Sequence, residues 1–416
     1  MKRVLLRRTT LLDGSRADVR LDGETIAEVR ADGGLDQVDA IDLSGYVLLP
    51  APVEPHAHLD KALTAGRVKV QPGDLETAIE AWHEQRRGLG ADDIARRAEA
   101  AALTSLARGV TAIRTHVDVG EGIELRAAKA LIEVRDRLHP LLDIQVVALS
   151  YPLAGPGEAA ENRALVRKAL ELGVDVVGGA PHIDPDPVGH IEVCLELAAE
   201  FGRPVDLHMD EHMRASSIDL LDLACMTGEG FAQPVTASHC VSLGLQPPDL
   251  QRRAAADVAR AGISVVSCPG TNLHLQGREL RTATPRGITA LKALLEAGVT
   301  VAGGGDNVQD FFHPLGCGDA LQTASLLVLA GQLDVPTAYR LVSENARAVL
   351  GLRAVTVEPG SPAELLAVAG GSLREAIAST TEDRLVFRRG RLVERTRVER
   401  EPFPPASPEL KPYPPP

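Results

Sequence analysis

The sequence predicts an α/β protein, a (β/α)8 barrel of the TIM type joined to a small β-sandwich built from both chain ends. Three observations predict it. Short apolar runs alternate with Ala/Leu/Arg/Glu-rich stretches of helical period eight times between residues 51 and 351. Alternating strand patterns broken by turn dipeptides flank that region on both sides. Metal-binding side chains directly follow several of the apolar runs, the place where barrels keep their chemistry. An open doubly wound sheet is the competing fold.

Residues 1–50 form the N-terminal part of the sandwich. Arg16-Ala17-Asp18-Val19-Arg20-Leu21 alternates, Asp22-Gly23 turns, and Thr25-Ile26-Ala27-Glu28-Val29 alternates again. Residues 51–351 form the barrel, with strands expected at 47–53, 111–117, 144–149, 174–180, 204–208, 235–239, 263–268 and 299–303. Helices are clearest at 91–107, 123–138 and 288–297. Residues 352–400 supply the C-terminal part of the sandwich through Glu364-Leu365-Leu366-Ala367-Val368, Leu385-Val386-Phe387 and Gly390-Arg391-Leu392-Val393. The tail, 401–416, holds eight of the 28 prolines without periodicity and is expected to be disordered and without chemistry.

Composition excludes several classes. With 44% hydrophobic and 24% charged residues and a mean hydropathy of −0.01, the 416-residue chain is a folded protein. A net charge of −13 opposes binding to polyanions, so no nucleic-acid partner is expected. No run approaches a membrane span, and Met1-Lys2-Arg3-Val4-Leu5-Leu6-Arg7-Arg8 places charge on both sides of a very short apolar run. A cytoplasmic protein without signal peptide or membrane contact is expected. Five cysteines, Cys194, Cys225, Cys240, Cys268 and Cys317, show no C-x-x-C spacing and read as buried thiols in a reducing compartment.

The chemistry begins at Glu54-Pro55-His56-Ala57-His58-Leu59-Asp60-Lys61. His56 and His58 are two apart, so on a strand both imidazoles face one side and can grip one metal ion. His208 ends the fifth strand with Glu211 in the following loop, His239 ends the sixth, and Asp306 follows the eighth. Imidazoles with one carboxylate suit Zn2+ or Fe2+ and leave room for water.

The chain resembles the amidohydrolase superfamily, and within it the cytosine deaminase family. The resemblance is carried by Val53-Glu54-Pro55-His56-Ala57-His58-Leu59-Asp60, Arg114-Thr115-His116-Val117-Asp118, His208-Met209-Asp210-Glu211, Val235-Thr236-Ala237-Ser238-His239 and Asn272-Leu273-His274-Leu275-Gln276-Gly277-Arg278. It implies metal ligands His56, His58, His208 and Asp306, with catalytic roles for Glu211, His239 and Asp306. It also implies a small heterocyclic substrate and homo-oligomers. No lysine stands at the end of the fourth strand to bridge two metals, so one divalent ion per subunit is expected, Zn2+ or Fe2+. Asp306 and His239 are expected to take and steer the proton of the activated water while Glu211 protonates the ring nitrogen under attack.

The expected substrate pocket departs from the family pattern. Tyr151 stands where cytosine deaminases keep a glutamine, Asn307 replaces a second aspartate, and Phe312 replaces a tryptophan. Lys61 is expected to contact substrate or to balance Asp60, and Gln276 to read an amide-like ring edge or pin its loop. His116 and His182 are expected beside the pocket. His83, His139, His190 and His212 are expected at the surface, and His313 is unassigned. The chain therefore reads as a metal-dependent deaminase of a cytosine-like heterocycle. The rival is an amidohydrolase cleaving a cyclic or N-alkyl amide or an aminotriazine C–N bond, and a non-catalytic barrel scaffold is the distant third.

Overall fold

The computed structural model of the chain describes residues 3–31, 33, 35, 40–68, 73–228 and 230–399. The Pro-rich tail lies outside the described residues. The described residues form two compact units, one drawn from those between 3 and 51, from 107–109 and from 355–399, the other from those between 52 and 106 and between 110 and 354.

The first unit is an eight-stranded sheet. Its strands are β1 (Arg3–Thr10), β2 (Arg16–Asp22), β3 (Thr25–Ala31), β4 (Ala40–Asp42) and β5 (Tyr46–Pro50) from the beginning of the chain. The barrel strands β6 to β13 intervene, and β14 (Leu365–Ala369), β15 (Arg384–Arg388) and β16 (Arg391–Thr396) complete the sheet. The order is β16-β15-β14-β5-β1-β2-β3, with β4 beside β1. The two chain ends meet where β5 runs antiparallel to β14, Leu48 opposite Ala367. Leu6, Val19, Leu21, Leu48, Leu365 and Phe387 are buried together as the core of this unit.

The second unit is the barrel. Eight parallel strands follow one another in chain order: β6 (Glu54–Ala57), β7 (Ala112–Asp118), β8 (Asp143–Leu149), β9 (Val176–Gly179), β10 (Val205–Met209), β11 (Val235–His239), β12 (Ser264–Ser267) and β13 (Val301–Gly303). Every residue of β7, β10 and β11 is buried, as strands covered on both faces require. Helices such as Ala91–Ala107, Arg126–Leu138 and Pro187–Phe201 intervene. A parallel bridge between Ala57 and Asp306 joins the two ends of the strand series.

Three expectations need correction. The apolar run at 47–53 is not one barrel strand: residues 46–50 belong to β5, and the first barrel strand begins at Glu54. Pro50 closes β5 opposite Leu365, and residues 51–53 lie between the two strands. The segment after the seventh strand is not a loop but the helix Pro269–Leu275, with proline in its first turn. The helix Leu75–Arg86 was not anticipated; Asp74 and Thr77 form its capping box.

Candidate active site

Strand closure builds the centre of the site. The Asp306 amide donates to the His56 carbonyl at 2.9 Å and the His58 amide to the Asp306 carbonyl at 3.1 Å, so Asp306 is woven between the two histidines. Asp306 and His239 both have positive φ, 67° and 70°. Such backbone is uncommon for side-chain-bearing residues and clusters where function requires a particular direction.

The expected ligands converge. Nε2 of His58 and Nε2 of His208 are 3.1 Å apart, and Oδ1 of Asp306 lies 3.4 Å from His58 Nε2 and 3.7 Å from His56 Nε2. Nitrogens about 2.0–2.1 Å from one zinc ion stand about 2.9–3.4 Å apart, so this spacing fits a shared cation. Nε2 of His56 is buried without a hydrogen-bond partner, a cost that a bound ion at this point would remove. Burial first and neighbouring imidazoles second lower the pKa of His56 and of His208; for His58, burial is followed by Lys61. The rings are therefore neutral, the form that binds metal.

The catalytic candidates stand beside this cluster. Glu211 Oε1 lies 3.3 Å from His239 Nδ1, and His239 Nε2 lies 4.0 Å from Asp306 Oδ2. Asn272 Nδ2 donates to Glu211 Oε1 at 3.2 Å. Burial, then the charge of Asp306, raises the Glu211 pKa well above the usual carboxylate range. Burial lowers that of His239 to about 4.

A cavity opens over these groups. Lys61, Tyr151, His182, Asn307 and Phe312 line it, joined by Leu75 and Ile79 of the helix Leu75–Arg86. Gln276 does not line it: its Nε2 donates to the Glu211 carbonyl at 3.2 Å and pins that loop. Both ends of the Asn307 amide are engaged, Oδ1 by the Thr271 hydroxyl at 3.0 Å and Nδ2 by Asp310 at 2.8 Å. Lys61 Nζ pairs with Asp118 at 2.6 Å, standing 3.7 Å from Asp60. Asp118 also accepts from Trp82 and Arg86. Tyr151 Oη lies 3.0 Å from His83 Nε2.

Sequence reasoning placed His116 only beside the pocket and read Cys268 only as a buried thiol, whereas both stand in the cluster. His116 is fully buried with both ring nitrogens unpartnered, and the sulfur of buried Cys268 lies within 4.8 Å of ligand atoms of His56, His239 and Asp306. His116 lies within β7, and Cys268 directly follows β12. His190 is buried with Nδ1 2.9 Å from Asp184, and His212 is buried, contrary to the expectation of surface positions; His83 is half-buried and His139 exposed. Cys225 is exposed and Cys317 partly so, while the other three cysteines are buried.

Residues 77–394 match the model of the amidohydrolase family. The chain belongs to the amidohydrolase family. It is 30% identical to a pterin deaminase of Rhizobium rhizogenes, over 85% of this chain and 82% of the relative. It is 28% identical to the N-isopropylammelide isopropyl amidohydrolase of a Pseudomonas species, over 92% and 94%. The crystal structure of 5-methylcytosine deaminase from Klebsiella pneumoniae with 5-fluorocytosine superposes with a TM-score of 0.86 at 30% identity, covering 97% of this chain and 99% of that one. This amidohydrolase is thus a metal-dependent hydrolase of carbon–nitrogen bonds, with a His/Asp cluster fitted to hold the metal. No helix among the described residues is long and apolar enough to cross a membrane.

Proposed function

We propose that this amidohydrolase deaminates a cytosine-like or related nitrogen heterocycle, adding water to an amidine-type carbon and releasing ammonia or an amine. The observation that carries the reading is Glu211, a buried carboxyl with its pKa driven up, at the wall of a cavity that also exposes the metal-type cluster. A buried carboxyl whose pKa is raised is suited to serve as a general acid.

His56, His58, His208 and Asp306 would hold one Zn2+ or Fe2+ per subunit. Bound there, the ion supplies the Lewis acidity that makes water nucleophilic at neutral pH. The protein's own groups do the rest. Asp306 accepts the proton of the attacking water, and His239, kept neutral by burial, steers that water through Nε2. Glu211 delivers its proton to the ring nitrogen as the adjacent carbon becomes tetrahedral, so that charge does not build up on the ring. Asn272 holds the Glu211 carboxyl in place.

Substrate is held by Phe312, Leu75 and Ile79 on its faces and by Lys61, Tyr151, His182 and Asn307 at its edges. Asn307 carries no charge, and Tyr151 offers a hydroxyl already paired with His83. The rival reaction, hydrolysis of an N-alkyl amino substituent or cyclic amide, is favoured by the match over 92% of the chain to the N-isopropylammelide enzyme.

Ammonia and amine release from metal-quantified protein decides between them. The panel comprises cytosine, 5-substituted cytosines, pterins, aminotriazines, N-alkyl aminotriazines and cyclic amides. Ammonia from an amino heterocycle supports deamination, amine from N-alkyl aminotriazines supports the rival, and silence from metal-loaded protein across the panel overturns both.

A further inference from the structure

The barrel interior carries an ion pair in a place where such barrels pack branched aliphatic side chains. Arg114 on β7 donates through Nη1 to Oδ2 of Asp206 on β10 at 2.9 Å, and both side chains are buried. A buried pair adds little net stability, because desolvation offsets the attraction, and apolar replacements of similar volume are often neutral or stabilising. Its connections account for it better. Oδ1 of Asp206 accepts from Ser238 Oγ at 2.8 Å, and Ser238 Oγ lies 2.9 Å from Nδ1 of His56. A serine hydroxyl has one hydrogen. With that hydrogen on Asp206, Ser238 meets His56 only as an acceptor. Nδ1 then carries the ring proton and Nε2 the lone pair, and Nε2 is the unpartnered atom 3.7 Å from Asp306.

We propose that Arg114, Asp206 and Ser238 form a buried chain that fixes His56 in the tautomer and ring orientation for metal binding through Nε2. Ser238 and Asp206 are then positioning residues of the centre. The inference rests on the reading of His56 as a ligand. The far end of the chain is itself anchored: Arg114 donates to Gln145 Oε1 at 3.1 and 3.0 Å and to the Val349 carbonyl at 3.0 Å, so Asp206 faces a guanidinium that cannot swing away. The direction of each hydrogen bond is thereby set from Arg114 to the imidazole.

The test compares wild type, Ser238→Ala, Ser238→Thr and His56→Ala. It reads the Zn2+ dissociation constant by competition with a chromophoric chelator, and the melting temperature of each metal-free protein. Removing an outer partner of a ligating histidine weakens metal binding by about 10–100-fold, which is the loss expected for Ser238→Ala. Ser238→Thr, which keeps the hydroxyl, should recover most of it, and the metal-free proteins should melt alike. Wild-type affinity in Ser238→Ala overturns the proposal, and so does a loss matched in Ser238→Thr or accompanied by an equal fall in metal-free melting. Should Ser238→Ala not fold, Asp206→Asn takes its place with the same expected loss. Binding lost in His56→Ala but kept in the chain variants overturns the chain alone. A wild type without tight metal overturns the metal centre and the chain together.

Discussion

Oε1 of Glu211 and Nδ1 of His239 stand 3.3 Å apart, and the Asn272 amide nitrogen reaches both, at 3.2 Å each. The Glu211 carboxyl and the His239 imidazole, the proposed acid and water-steering group, are therefore held by one side chain. Replacing Glu211 by Gln keeps the shape and the bond to Asn272 but removes the transferable proton. Turnover should fall by about 10²–10⁴-fold with metal content unchanged, checked by steady-state kinetics and metal analysis on the same preparation.

Asn272→Leu tests the same arrangement from the other side. The amide donor favours the ionised form of Glu211 and so lowers its pKa against burial and Asp306, which raise it. Without the amide the pKa rises further. Activity that needs Glu211 protonated is lost as pH rises through that pKa, so the alkaline limb of the kcat/KM profile should move to higher pH in the variant. A limb that stays in place, or moves to lower pH, contradicts the role of Glu211 as acid.

Removing the metal should abolish activity and lower the melting temperature together, because the converging His56, His58, His208 and Asp306 are left facing one another. Zn2+ at about 100 times its dissociation constant should return about 2.7 kcal/mol of stability to the chelated protein. Calorimetry with and without the ion reads it, and His58→Ala should show no return.

The fold and the metal-type cluster were legible in the sequence for a physical reason. Barrel strands are short apolar runs, and the ends of those runs expose the next side chains to one common centre, so His56, His58, His208, His239 and Asp306 could be placed together from strand ends alone. What was not legible came from elements whose position in space the pattern does not encode. Helix Leu75–Arg86 contributes Leu75 and Ile79 to the cavity and His83 to Tyr151, yet its sequence marks only an amphipathic helix. The sequence offers Lys61 either the substrate or Asp60, its neighbour, whereas its shorter ion-pair contact is to Asp118 from the next strand. His190 reads as a surface helix residue until Asp184 is found against it.

Asp184 secures the segment that carries Tyr151. Its carboxylate accepts from the Leu153 amide at 2.7 Å, the Ala154 amide at 3.1 Å and His190 Nδ1 at 2.9 Å. Burial acts upward on its pKa, but His190 and the backbone amides outweigh it and bring the value down to about 2. A depressed carboxylate pKa contributes stability that is complete above the unfolded value of about 3.9 and is lost as pH falls through the folded one. Asp184→Ala should therefore cost about 1–2 kcal/mol near neutral pH, allowing for solvent screening, and the cost should shrink between about pH 4 and about pH 2. Urea titrations of both proteins across that range read the difference.

Lys61 faces both Asp118 and the cavity, and one substitution can separate an ion-pair role from the proposed substrate contact. Its ammonium is buried against Asp118 at 2.6 Å, lies 3.3 Å from His58 Nδ1 and also lines the cavity. Burial lowers its pKa, but Asp118 and then Asp60 outweigh that and raise it, so Lys61 is charged. Orphaning a buried ion costs about 3–5 kcal/mol, but Lys61→Met should cost less, because Arg86 Nη1 at 2.8 Å and Trp82 Nε1 at 2.7 Å still hold Asp118. If Lys61 served only that ion pair, Lys61→Met would lower the melting temperature and leave the KM of the folded fraction unchanged. A cation at the cavity wall also meets the polar edge of the substrate, so KM should rise by about tenfold or more, the loss of one charge-assisted hydrogen bond of about 1.5–3 kcal/mol. Melting curves and substrate titrations on the same variant distinguish the two: a fall in stability with KM unmoved removes Lys61 from the substrate site.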